Sequence, residues 1–186
     1  TFRALSEGSI AVPAEGMQAI PEQLADHARE AGAAIRLGEP VEDVADDGDG
    51  VTVTTSEETV DADAVVVAAD PKRAKELTGV DAIPTEARSC VTQHYRLPAG
   101  EAPETGKRLL LNAGDESPNT VVNLTAVAPE YAPGDVDLLN ATFLGDEPQD
   151  APAEDLEART RRALESWYPE REFDDLERVE THRIPF

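Results

Sequence analysis

The stretch that decides the fold is Ala64-Val65-Val66-Val67-Ala68-Ala69-Asp70-Pro71. Six apolar residues without polar alternation predict a strand covered on both faces. Asp70-Pro71 ends that strand and starts a short helix through about Leu77, with Asp70 suited to cap its N-terminus. Upstream, Val41–Ala45 and Val51–Thr55 flank Asp46-Asp47-Gly48-Asp49-Gly50, a composition that predicts a hairpin. A turn at Ser56–Glu58 leads to Val60 and completes a three-stranded meander. Further back, Ala33–Leu37 reads as a strand. Met17, Ile20, Leu24, Ala28 and Ala31 recur at helical spacing, with Pro21 in the first turn and Gly32 placed to end the helix. Ser9–Val12 reads as a short strand stopped by Pro13.

From about Val80 the texture changes. Strand-like stretches follow at Cys90–Leu97, Arg108–Asn112, Thr120–Val127 and Asp137–Leu144, joined by connections rich in Pro and Gly. Hairpin-linked antiparallel strands fit this pattern better than βαβ units. Glu154–Trp167 reads as a helix with Leu156, Ala163, Leu164 and Trp167 on one face, stopped by Tyr168-Pro169. A last strand runs from about Leu176 to Ile184. The expected fold class is therefore α+β, divided near residue 80.

Composition narrows the function. In 186 residues, 39 Asp and Glu oppose 16 Lys and Arg, a net charge of −23. That field repels a phosphate backbone and an anionic membrane surface, so neither is an expected partner. No apolar run reaches the ~20 residues of a membrane span. The single Cys90 excludes an internal disulfide and fits a reducing cytoplasm. Thirteen of the 16 basic residues are Arg. A lysine-poor acidic surface suits a salt-loving cytoplasm, where screening at ~1 M salt shrinks to about 3 Å. The rival reading is an acidic face for a basic partner, a non-catalytic interaction module. The spread of the acids along the chain in short groups favours the first.

Motifs for self-contained chemistry are missing. The loop Asp46–Gly50 fails as a calcium site, because neither register through Gly48 or Gly50 puts a Glu at position twelve. His27, His94 and His182 lack zinc spacing, so no metal is expected. Cys90 sits in an apolar strand and reads as a packed thiol. There is no G-x-S-x-G elbow, no P-loop and no G-x-G-x-x-G opening a helix. A complete small enzyme with an unrecognised site stays open as a third reading.

The order of elements does carry a resemblance. Residues 11–25, AVPAEGMQAIPEQLA, resemble the Pro-x-Gly-Gly-Met segment of FAD-dependent phytoene desaturases and the flavin amine oxidase superfamily, with Glu15 where relatives often carry the first Gly. Gly32–Leu37, Pro40-Val41 and Ala62–Pro71 follow at matching distances. Ala128–Gly134, Trp167-Tyr168-Pro169 and His182–Phe186 also look like members of that family. The family opens with G-x-G-x-x-G and closes with a Gly-Asp segment, and this chain has neither. Its abrupt ends, Thr1-Phe2-Arg3 and Ile184-Pro185-Phe186, fit the same expectation of an interior portion, inactive alone and without retained flavin.

The resemblance implies a division of labour. Residues 1–80 would be the second half of a glutathione-reductase-type FAD-binding domain, with β-meander, parallel strand and helix. Residues 81–186 would be a substrate domain, an antiparallel sheet with a packed helix. The residue matching Val41 would hold the adenine end of FAD through its backbone N–H and C=O, with a plain strand residue as the alternative. Ala69 and Asp70 would face the cofactor region, with the helix N-cap as the rival role for Asp70. The parent would dehydrogenate a C–C or C–N bond of a small-molecule substrate, such as an amine, a porphyrinogen or an apolar carotenoid precursor. No catalytic side chain is named by the resemblance.

Overall fold

The computed structural model describes residues 11–114 and 118–185. Among the described residues it is a mixed α/β fold with two antiparallel sheets, one of three strands and one of five. The chain divides into two compact units, one of Leu24–Ala87 and one of Thr1–Gln23 with Arg88–Phe186.

The first helix, α1, covers Ala19–Glu30. Gly32 ends it in the left-handed region at φ 94°. The Gly32 N–H bonds the Arg29 carbonyl and the Ala33 N–H bonds the Ala28 carbonyl, both at 2.9 Å, which is a Schellman close. None of its residues is buried. Half of the strand expected at Ser9–Val12 lies outside the described residues, and Ala11 and Val12 are in no strand.

In the unit Leu24–Ala87, β1 (Val41–Asp46), β2 (Val51–Thr55) and β3 (Thr59–Ala62) form the expected meander in order β1-β2-β3. The hairpin closes with Asp47 N–H on the Gly50 carbonyl, and the Asp46 carboxylate accepts from the Gly48 N–H. This is the hydrogen-bonded turn that the Asp/Gly run predicts. Helix α2 follows at Pro71–Thr78.

Two expectations fail in this unit. Ala64–Ala69 is in no strand, and Val66 is 90% exposed. Ala33–Leu37 is likewise unpaired, with Leu37 85% exposed. An apolar run states what a segment can bury, but a strand needs a neighbour for its main-chain groups. No described strand lies beside either run. Ala74 is the single buried apolar residue described in this unit.

The other unit has a true core. The order of its sheet is β5-β6-β7-β4-β8, with β4 (Cys90–Pro98), β5 (Leu109–Leu111), β6 (Thr120–Asn123), β7 (Val136–Leu144) and β8 (Glu177–Ile184). The expected strand Thr120–Val127 is cut short at Asn123. Its side chain accepts from the Ala126 N–H at 3.0 Å and caps the one-turn helix α3 (Leu124–Val127). A single 3-10 turn at Pro129–Tyr131 and the one-turn helix α4 (Glu147–Asp150) complete the connections.

Helix α5 (Ala153–Trp167) carries Leu156, Thr160 and Leu164, all fully buried. They join a core with Val91, Tyr95, Leu97, Val121, Leu139, Ala141 and Phe143 from one face of the sheet. Strand alternation puts these residues on one side, and each fully buried large apolar side chain contributes about 1.5–3 kcal/mol. Trp167 is half-buried and packs on the core edge. Glu154 and Asp155 in the first turn offset the helix dipole, and Tyr168 N–H closes the end on the Leu164 carbonyl.

Candidate functional site

Two places gather groups able to meet a ligand. The first is the edge of the meander. The Ser56 N–H donates to the Pro40 carbonyl at 3.1 Å, one step outside the Val41–Thr55 pair. That is the pattern of a non-hydrogen-bonded antiparallel pair, in which both main-chain groups of Val41 point away from β2. The register also slips between Val41 and Asp43, a bulge at the strand start. The Val41 carbonyl accepts from Arg73 Nη2 at 2.6 Å, and the Glu42 carbonyl lies 3.3 Å from the same nitrogen. Glu76 holds the other arm, Arg73 Nη1, at 2.8 Å.

Asp70 is occupied locally. Its Oδ1 accepts from the Lys72 N–H at 3.0 Å and the Arg73 N–H at 3.1 Å, with Pro71 in the first turn of α2. Gly79 closes the other end at φ 64°, its N–H on the Lys75 carbonyl. Asp70 thus orients the helix that carries Arg73. Ala69 is exposed just before it. The structure brings Val41 and Asp70 into one constellation only through Arg73, which sequence reading missed. Arg73 lies 32 residues from Val41, and no local spacing announces the contact.

The second place is the face of the five-stranded sheet opposite α5. Thr92, His94 and Arg96 of β4 lie there beside Asn140 and Thr142 of β7, and Glu180 and His182 of β8. The His94 and His182 rings meet edge to face with centroids 5.4 Å apart. His182 Nε2 is 3.4 Å from Glu180 Oε2. Burial, and then the charge of His182, hold the His94 imidazole below its ordinary range, while Glu180 opposes them. The margins of the face are apolar, with Leu109, Leu111, Leu144 and Ile184 exposed. The face is therefore a hydrogen-bonding centre in a greasy frame.

Other candidates are weaker. A cleft of about 660 Å³ beside Trp167 is lined by Asp146, Glu147, Arg159 and Arg162. Its charges offset one another, and Arg159 is held by Glu147 at 2.6 Å. Cys90 is half-buried at the start of β4. Among the described residues, no group of three or more His, Cys, Asp or Glu is placed to hold a metal ion, and no helix is long and apolar enough to cross a membrane.

A profile of the family described as flavin containing amine oxidoreductase matches residues 2–183. No curated protein matches the sequence significantly. Among solved structures, the chain is similar to an oxidoreductase from Methanosarcina mazei at 16% identity and TM-score 0.71, over 92% of this chain and 43% of that one. It is similar to a candidate protoporphyrinogen oxidase from Exiguobacterium sp. 255-15 at 16% identity and TM-score 0.63, over 87% and 38%. A putrescine oxidase redesigned in its cofactor binding matches at 20% identity and TM-score 0.56, over 81% and 35%. The chain spans about two fifths of the length of these proteins. At such identities the likeness is one of fold.

Proposed function

This chain belongs to the flavin-containing amine oxidoreductase family, and from that premise we propose that it is the central portion of an FAD-dependent oxidoreductase. The observation that carries the reading is the edge of β1. There Val41 presents a main-chain N–H and C=O away from the sheet, a donor and acceptor pair suited to the edge of a purine. The donor set fits the adenine end of FAD. Asp70, bound to its own helix, acts through orientation, and Ala69 leaves the approach open.

In this reading the unit Leu24–Ala87 contributes part of the FAD-binding domain. The exposed run Ala64–Ala69 becomes a covered strand once the rest of the parent pairs with it. The second unit contributes the substrate wall, the sheet face centred on His94 and Asn140. FAD, when bound, supplies the two-electron acceptor for dehydrogenation of a C–C or C–N bond. This chain's residues would bind, orient and shield: Val41 would hold the adenine end, and the sheet face would exclude water behind the substrate. The glycine loop that would seat the pyrophosphate on a helix N-terminus is absent from this sequence, so the chain alone is inactive and colourless.

The test is to read the gene on both sides and purify the full parent. A strand followed by G-x-G-x-x-G upstream, and stoichiometric FAD in the purified parent, are the expected results. A start and a stop codon bounding these residues, with no flavin bound, would sink the reading in favour of an acidic interaction module.

A further inference from the structure

We propose that Arg73 is a positioning residue for the adenine end of the cofactor, an inference that rests on the FAD reading above. A bulge at the start of β1 frees the Val41 and Glu42 peptides from the regular ladder. Left alone, main-chain groups at an open edge sample several directions. Arg73 removes that freedom. Its Nη2 bonds the Val41 carbonyl at 2.6 Å and approaches the Glu42 carbonyl at 3.3 Å, so one guanidinium nitrogen gathers two successive carbonyls. Its Nη1 is held by Glu76 at 2.8 Å, and its own N–H is bound by the Asp70 cap. The guanidinium is thereby fixed at both ends before any ligand arrives.

Charge-assisted bonds of this kind are short and roughly twice as strong as neutral ones. A carbonyl oxygen has two lone pairs, so the Val41 oxygen keeps one for a ligand amine. Its N–H stays open for a ring nitrogen. Fixing both groups in advance lowers the ordering cost of binding an adenine edge. The reach also explains why the cap at Asp70 matters to a ligand it does not touch: it sets the register of α2, and α2 aims Arg73.

The experiment uses the full-length parent, stripped of flavin and reconstituted with FAD or with FMN, which lacks adenine. Binding is read by flavin fluorescence. Arg73→Ala is expected to weaken FAD binding about tenfold, the loss of one charge-assisted contact at second hand. FMN binding should stay within about twofold, and Arg73→Lys should recover part of the FAD affinity by the same charge argument. If Arg73→Ala does not fold, Glu76→Gln loosens the guanidinium and should give a smaller loss of the same FAD-selective kind. Unchanged FAD affinity, or equal losses for FAD and FMN, overturns the proposal. A wild-type parent that binds no flavin overturns the FAD reading itself and takes this inference with it.

Discussion

His94 and His182 meet edge to face, 5.4 Å between ring centroids, on the sheet face that α5 leaves uncovered. Two imidazoles at that distance resist double protonation, and His94 is the more buried of the pair. Burial first and His182 second lower its pKa. Below the ordinary imidazole value of 6.5 the unfolded chain gains a proton that the folded site resists. The stability this site contributes is therefore present above that pH and is lost as pH falls through the lowered folded pKa of His94. An NMR titration should find His94 titrating below the ordinary value. His182→Ala should move it up and Glu180→Gln should move it further down, and the opposite order would contradict the geometry.

The core of the five-stranded unit should be intolerant of truncation. Leu164→Ala is expected to cost about 2–5 kcal/mol by denaturant unfolding, because a fully buried side chain leaves a cavity in the core that also holds Phe143. Leu37→Ala, at a residue 85% exposed, should change stability in the isolated chain by less than about 0.5 kcal/mol.

Tyr95 sits over a buried polar network. Its hydroxyl donates to Gln93 Oε1 and lies 3.0 Å from Thr160 Oγ1, while Gln93 Nε2 donates to the Ala153 carbonyl and to Thr181. Burial pushes the phenol up, so it stays neutral at working pH. Tyr95→Phe leaves the Gln93 oxygen without its donor and should cost about 1–3 kcal/mol. The double variant Tyr95→Phe with Gln93→Leu should cost less than the sum of the two singles.

Asp70→Ala removes the cap of α2 and should cost about 1 kcal/mol of local stability, read by hydrogen exchange at Lys72 and Arg73. Asp70→Ser should keep most of it, since a hydroxyl accepts the same bonds. A Ser variant as damaged as the Ala variant would show that the carboxylate acts beyond the cap.

The exposed run offers a two-context test. Val66→Asp should be tolerated in the isolated chain, where Val66 is 90% exposed. The covered strand proposed for the full parent predicts that the same change unfolds that protein or strips its flavin. Equal tolerance in both contexts would mean that nothing pairs with it.

Salt should act through the whole surface. A net charge of −23 is repulsive at low ionic strength, and the screening length falls from about 10 Å at 0.1 M to about 3 Å at 1 M. The melting temperature should rise with potassium chloride across that range. A flat or falling curve would show that self-repulsion of the acidic surface does not limit stability.

The sequence by itself determined what depends on neighbours a few residues apart. The Asp46–Gly50 turn set the hairpin, Asp70-Pro71 set the cap of α2, and Gly32 set the close of α1. The alternation in β4 and the spacing of Leu156 and Leu164 set which faces would meet, because side-chain direction repeats with the backbone. Tertiary structure alone decided what depends on distant partners. It left Ala64–Ala69 and Ala33–Leu37 without a strand, since apolar composition cannot supply a hydrogen-bonding neighbour. It ended β6 at Asn123, where a side-chain cap outcompeted the ladder. It joined Arg73 to Val41 and His94 to His182, pairs that no periodicity relates and that only the pairing of strands and the docking of a helix bring within reach.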